Sequence, residues 1–202
     1  MAKTTRIPAM RLHHNRIRRL GSWAIGSALL LAGASALAAP FRSNLSLQGV
    51  NFSVTANGEG PLQQLTVTAR RGDKAFPSIK ETVEERVVGA EVEDLNSDGL
   101  PDLFVYVQSA GSGSYGSVKA WTTTRAGGLL PIHLQDMSAK DARGYMGHDE
   151  FAVVETSLVR RFPIYKSGDS NAKPTGGTRQ VTYKLVPGEA MWQLKPVRST
   201  QF

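Results

Sequence analysis

Apolar and polar side chains alternate through one short run after another in this chain, and that period of two narrows its choice of fold more than any other feature. Successive residues of a strand point to opposite faces, so each run reads as a strand with one face buried. Residues 45–56 (LSLQGVNFSVTA) alternate around Gly49, and 65–69 (LTVTA) alternate again. Further strands are expected at 86–92, 103–107, 117–124, 129–133, 151–159 and 162–165. The last two runs, 180–186 and 191–197, are joined by Pro187, Gly188, Glu189 and Ala190, a hairpin-type connection. Only 138–145 (SAKDARGY) suggests helix. One or two turns with Ser138 as N-cap are expected there, stopped by Gly144 and Gly147. Gly, Pro, Asn and Asp clusters between the runs, the longest at 167–177, complete the pattern. It predicts an all-β fold with little helix, an antiparallel β-sandwich or flattened barrel of about eight strands.

The amino-terminal segment does not follow this pattern. Lys3, Arg6, Arg11, Arg16, Arg18 and Arg19 form a basic region free of acidic residues, followed by an apolar run over 23–37. Ala36, Leu37 and Ala38 then give the small-x-small pattern of signal-peptidase cleavage. The run is shorter than the roughly 20 residues a membrane span requires. Residues 1–38 are therefore expected to be a cleaved signal peptide that sends 39–202, a single domain, to the periplasm. Arg18-Arg19 faintly resembles a twin-arginine signal, but ordinary secretion is expected, because no cofactor motif calls for folding before export.

Cleavage changes what charge implies. Of the 24 basic residues, the six named above precede Ala39, which leaves 18 against 17 acidic ones. That balance argues against nucleic acid as a partner. With no cysteine in the chain, disulfides, thiol catalysis and a lipid-bearing cysteine are all excluded. The mature domain is expected to be free of the membrane.

Two motifs could carry function. The first, 94–102 (DLNSDGLPD), sets oxygen-bearing side chains at Asp94, Asn96, Asp98 and Asp102 around Gly99. Such spacing can wrap a hard cation such as Ca²⁺, and equally makes an Asx-rich turn held by its own backbone. Either role is structural. The second, 109–117 (SAGSGSYGS), is an uncharged glycine-rich loop bearing the hydroxyls of Ser112, Ser114 and Tyr115. It could form a narrow binding finger, its glycines supplying positive φ, or a plain hairpin turn with Tyr115 packed on the sheet. No catalytic signature accompanies it. G-x-S-x-G, P-loop and dinucleotide motifs are absent. Of the two histidines after the leader, His133 falls in an apolar strand, and His148, with Asp149 and Glu150, reads as a solvated turn.

Taken together, DLNSDGLPDLFVY, SAGSGSYGSV, LVRRFPIYKSGDSNAKPTGGTRQVTYKL and GEAMWQL resemble the periplasmic inhibitors of invertebrate-type (I-type) lysozyme. The resemblance spans about residues 85–197 and does not reach 41–80. It implies an all-β protein without enzymatic activity or a required cofactor, often a homodimer, whose partner is an I-type lysozyme. In that family a Ser-Gly-x-Tyr loop enters the lysozyme cleft. The matching positions are Ser112, Gly113 and Tyr115, with Ser114 at the variable place. A lysozyme acts through two carboxyl groups, and hydroxyl donors facing them would gain about 1.5–3 kcal/mol per bond. Lys119, Arg160 and Arg161 are expected on solvated faces. The alternative is a calcium-dependent exported adhesion or carbohydrate-binding module built on Asp94–Asp102, and a weaker third reading is an exported hydrolase.

Overall fold

The computed structural model describes residues 40–58 and 62–202; the expected signal peptide lies outside them. Among the described residues the fold is all-β with no helix: an eight-stranded, nearly closed mixed barrel plus a smaller antiparallel sheet.

The smaller sheet comes from the part of the chain that the resemblance does not reach. It contains β1 (Phe41–Leu47), β2 (Val50–Asn57), β3 (Gln63–Arg71), the short β4 (Lys74–Ala75) and β5 (Ile79–Val83). β2 pairs with β1 and β3, while β4 and β5 both pair with β3. The alternation over 45–56 runs through two strands, because Gln48 and Gly49 form a two-residue turn with both residues at positive φ. That backbone matches strand twist in tight hairpins. Val50, Phe52, Val54, Leu65 and Val67 point inward and are buried.

The barrel is built from β6 (Arg86–Glu93), β7 (Asp102–Gln108), β8 (Gly116–Thr123), β9 (Leu129–Leu134), β10 (Glu150–Val154), β11 (Ser157–Pro163), β12 (Thr178–Pro187) and β13 (Trp192–Gln201). Its order is β10-β11-β12-β13-β9-β8-β7-β6. All neighbours are antiparallel except β9 and β13, which run parallel with Trp192 opposite Ile132. The sheet is thus mixed where a wholly antiparallel one was expected. Alternation reports which face a residue occupies but not the direction of a distant partner, so this pairing left no trace in the runs. Where β6 and β10 approach, Glu91 spans the gap. Its carboxylate accepts the Val153 N–H at 2.6 Å and the Tyr106 hydroxyl at 2.5 Å.

β7 is the one barrel strand buried along almost its whole length. Leu103, Val105 and Val107 pack with the small sheet and Trp121. Phe104 and Tyr106 point into the barrel with Leu158, Phe162, Val181, Tyr183 and Leu194. A strand covered on both faces needs an unbroken apolar run, and LFVYV supplies it. Each such large apolar side chain contributes roughly 1.5–3 kcal/mol on burial.

Two local expectations change. The run 151–159 is two strands, β10 and β11, separated at Glu155 and Thr156. Glu155 takes positive φ without being Gly, Asn or Asp, so no turn residue marks the break. Residues 138–145 form turns and no helix: Ala142 N–H bonds the Ser138 carbonyl, and Ser138 Oγ accepts the Asp141 N–H, as an N-cap would. Gly144 and Gly147, both at positive φ, end the segment.

Candidate functional site

The loop between β7 and β8 carries Ser112, Gly113, Ser114 and Tyr115. Its ends are pinched: the Ser109 N–H bonds the Tyr115 carbonyl at 2.8 Å, and Ser109 Oγ accepts the Tyr115 N–H at 2.9 Å. Ser112 is exposed, Gly113 and Ser114 are half-buried, and Tyr115 is 49 % exposed. The Tyr115 ring is not part of the core. It lies edge-on to Tyr145, centroids 5.6 Å apart.

The two central glycines of this loop do different work. Gly111 supplies the left-handed backbone at φ 113°, and Ser114 adopts positive φ as well. Gly113 is needed for space instead: a Cβ there would sit 2.6 Å from Tyr115 Cε2 and 3.2 Å from the Met146 carbonyl oxygen.

Two neighbouring segments hold the loop. From the 144–149 turn, the His148 N–H bonds the Gly113 carbonyl at 2.6 Å, and Gly147 lies so close to that carbonyl that a Cβ would collide with it. From the 167–177 segment, Asn171 Nδ2 donates to the Ser112 carbonyl at 2.6 Å, while its Oδ1 lies 3.2 Å from His148 Nε2. That segment is itself folded around Asp169, whose carboxylate accepts the N–H groups of Lys166 and Thr175 and the Thr175 hydroxyl.

Beneath the loop is a buried ion pair. Arg160 Nε donates to Asp149 Oδ1 at 2.7 Å, and the Asp149 side chain is fully buried. Asp149 Oδ2 accepts the Gly116 N–H at 2.7 Å and the Tyr145 hydroxyl at 2.6 Å. Arg160 Nη2 donates to the same hydroxyl at 2.7 Å. The guanidinium lies among the rings of Tyr145, Phe151 and Phe162, 4.9–5.7 Å from their centroids. Burial alone would lower the Arg160 pKa, but the Asp149 hydrogen bond and charge outweigh it and raise the pKa. Burial, with the bond to Asp149, raises that of Tyr145. One carboxylate therefore fixes the root of the loop and the ring against which Tyr115 rests.

This network corrects two expectations. Arg160 is in the interior, not on a solvated face, and Asp149 is buried, not part of a solvated turn. The signal for Arg160 was present, since Leu158, Arg160 and Phe162 share one face of β11, and a buried cation requires a partner. Asp149 gave no such sign from a turn. Arg161 is exposed as expected and bonds Gln180, and Lys119 lies 3.9 Å from Glu81.

In the 94–102 turn the side chains serve the backbone. Asp94 accepts the N–H groups of Asp98 and Gly99 at 3.0 and 2.8 Å, and Nε2 of Gln48 at 2.8 Å. Asp98 accepts the Leu100 N–H and the Asn96 side-chain amide. Asp102 points inward and accepts the Leu95 N–H at 3.0 Å through Oδ2, while its Oδ1 has no partner. Burial pushes its pKa up to about 7, against the opposing effect of Thr122 and the Leu95 amide. Among the described residues, no group of three or more acidic or histidine side chains is arranged to hold a metal ion. Through the hydrogen bonds of Asp94, Asn96, Asp98 and Asp102 the segment forms an Asx-type turn, and Asp94 also ties the β1–β2 turn to the barrel.

Compared with protein-family models, with curated proteins and with solved structures, the chain matches none.

Proposed function

We propose that this chain is an exported, non-enzymatic lysozyme inhibitor that blocks the catalytic groove of an I-type lysozyme with the loop Ser112-Gly113-Ser114-Tyr115. The observation that carries the proposal is that Ser112 and Tyr115 face solvent on a segment whose backbone is hydrogen-bonded by two neighbouring segments. A loop already held in one shape loses little entropy on entering a groove. Ser112 and Tyr115 serve as hydrogen-bond donors to the paired carboxyl groups, Gly113 lets the Tyr115 ring lie flat against the loop, and the working compartment is the periplasm. Inhibition is competitive and needs no cofactor.

The test is an inhibition panel across chicken-, goose- and invertebrate-type lysozymes. The wild-type chain should suppress the invertebrate type at near-equimolar dose. Replacing Ser112 and Tyr115 together by Ala should abolish inhibition while leaving the melting temperature unchanged, because both side chains lie outside the core. Failure of the wild-type chain to inhibit any member would reject the proposal.

A further inference from the structure

The 144–149 turn, whose backbone meets the loop at Gly113, carries a second exposed apolar side chain. Met146 is 41 % exposed. Its carbonyl oxygen and the Tyr115 ring flank the same point above Gly113. The preceding residue, Tyr145, is the ring on which Tyr115 rests. The two segments are joined through the His148–Gly113 hydrogen bond and the Asp149–Gly116 hydrogen bond. Tyr115 and Met146 are therefore presented by one rigid unit.

Isolated exposed apolar residues are ordinary on protein surfaces; Met146 differs in standing on a turn hydrogen-bonded to the loop that carries Tyr115. Tyrosine offers a rigid amphipathic ring, and methionine an unbranched side chain that adapts to the shape it meets. We infer that Met146 is a second contact residue of the partner-binding surface and that the partner has an apolar wall beside its carboxyl-bearing groove. This rests on the inhibitor reading of the Ser112–Tyr115 loop and adds what the loop alone does not specify. The hydroxyls meet the acceptors, and Met146, by matching or failing to match the flanking wall, selects which lysozymes are bound.

The experiment compares Met146→Gln, Met146→Leu and Met191→Gln with the wild-type chain. It measures the inhibition constant against the lysozyme the wild type inhibits best, and the melting temperature. Met191 is a control, being similarly exposed, at 44 %, in the β12–β13 connection. Met146→Gln should raise the inhibition constant roughly tenfold or more, while Met146→Leu, which keeps the apolar volume, should stay within about threefold. Met191→Gln should match wild type, and all melting temperatures should agree. A Met146→Gln variant that inhibits like wild type, or a Leu variant as weak as the Gln one, would overturn the inference while leaving the loop reading intact. A wild-type chain that inhibits no lysozyme would remove both.

Discussion

Asp149 accepts three hydrogen bonds on its two carboxylate oxygens, from Arg160, from Tyr145 and from the N–H of Gly116, the first residue of β8. Removing its charge leaves Arg160 buried without compensation, a change that typically costs about 3–5 kcal/mol. Asp149→Asn should therefore lower the melting temperature well beyond the effect of any loop-tip substitution. Hydrogen exchange at the Gly116 and His148 amides should quicken more than at Val181 in the barrel core. Equal acceleration at all three sites would mean that the ion pair stabilises the barrel at large and does not hold the loop in particular. At this scale the sequence was partly legible. The uncharged glycine- and hydroxyl-rich loop could be singled out from composition, which left a plain hairpin turn open, and Ser112 and Tyr115 could be assigned as donors through the resemblance alone. Tyr145, Met146, Asp149 and Asn171 could not, because their roles depend on three segments far apart in the chain meeting at one end of the barrel.

Among the elements, the turn that opens into β7 carries the clearest dependence on pH. Asp102 holds its proton up to about pH 7 in the folded protein, against an ordinary value of 3.8. Between those values the folded state binds a proton that the unfolded state has lost. Its stabilising contribution is therefore complete below about pH 3.8 and is lost as pH rises through 7, by up to about 1.4 kcal/mol per pH unit. Asp102→Asn removes this one dependence. Thermal unfolding of variant and parent at about pH 4.5 and 7.5 should show the variant gaining on the parent at the higher pH; an unchanged difference would place the Asp102 pKa near its ordinary value. The strands themselves were largely readable, since alternation reports burial directly. Breaks failed where the turn lacked its usual residues. Glu155 holds a left-handed backbone that Gly would take more readily, and Gln48 stands where Asn is commoner. Gln48 has a reason to be longer: its amide reaches Asp94, joining the small sheet to the barrel.

For the molecule as a whole, β7 is the shared wall of two cores, and the LFVYV run announced that strand without revealing what covers it. Of the small sheet, β1 to β3 were visible as strands while β4 and β5 were not, and its place against β7 was hidden, since nothing in an alternating run names the surface it faces. Barrel closure was equally hidden. A single carboxylate, Glu91, stands where a ladder of backbone bonds would otherwise join β6 to β10.

The position of β13 between β9 and β12 has a consequence for how this protein is made. β13 is the piece that unites β6–β9 with β10–β12, so until it is in place there are two half-sheets with bare edges. Unpaired edges invite association between chains. A chain cut before Trp192 should therefore yield not a slightly weakened protein but two sticky halves of a barrel, and copies of the chain have to be kept apart until β13 has paired on both sides.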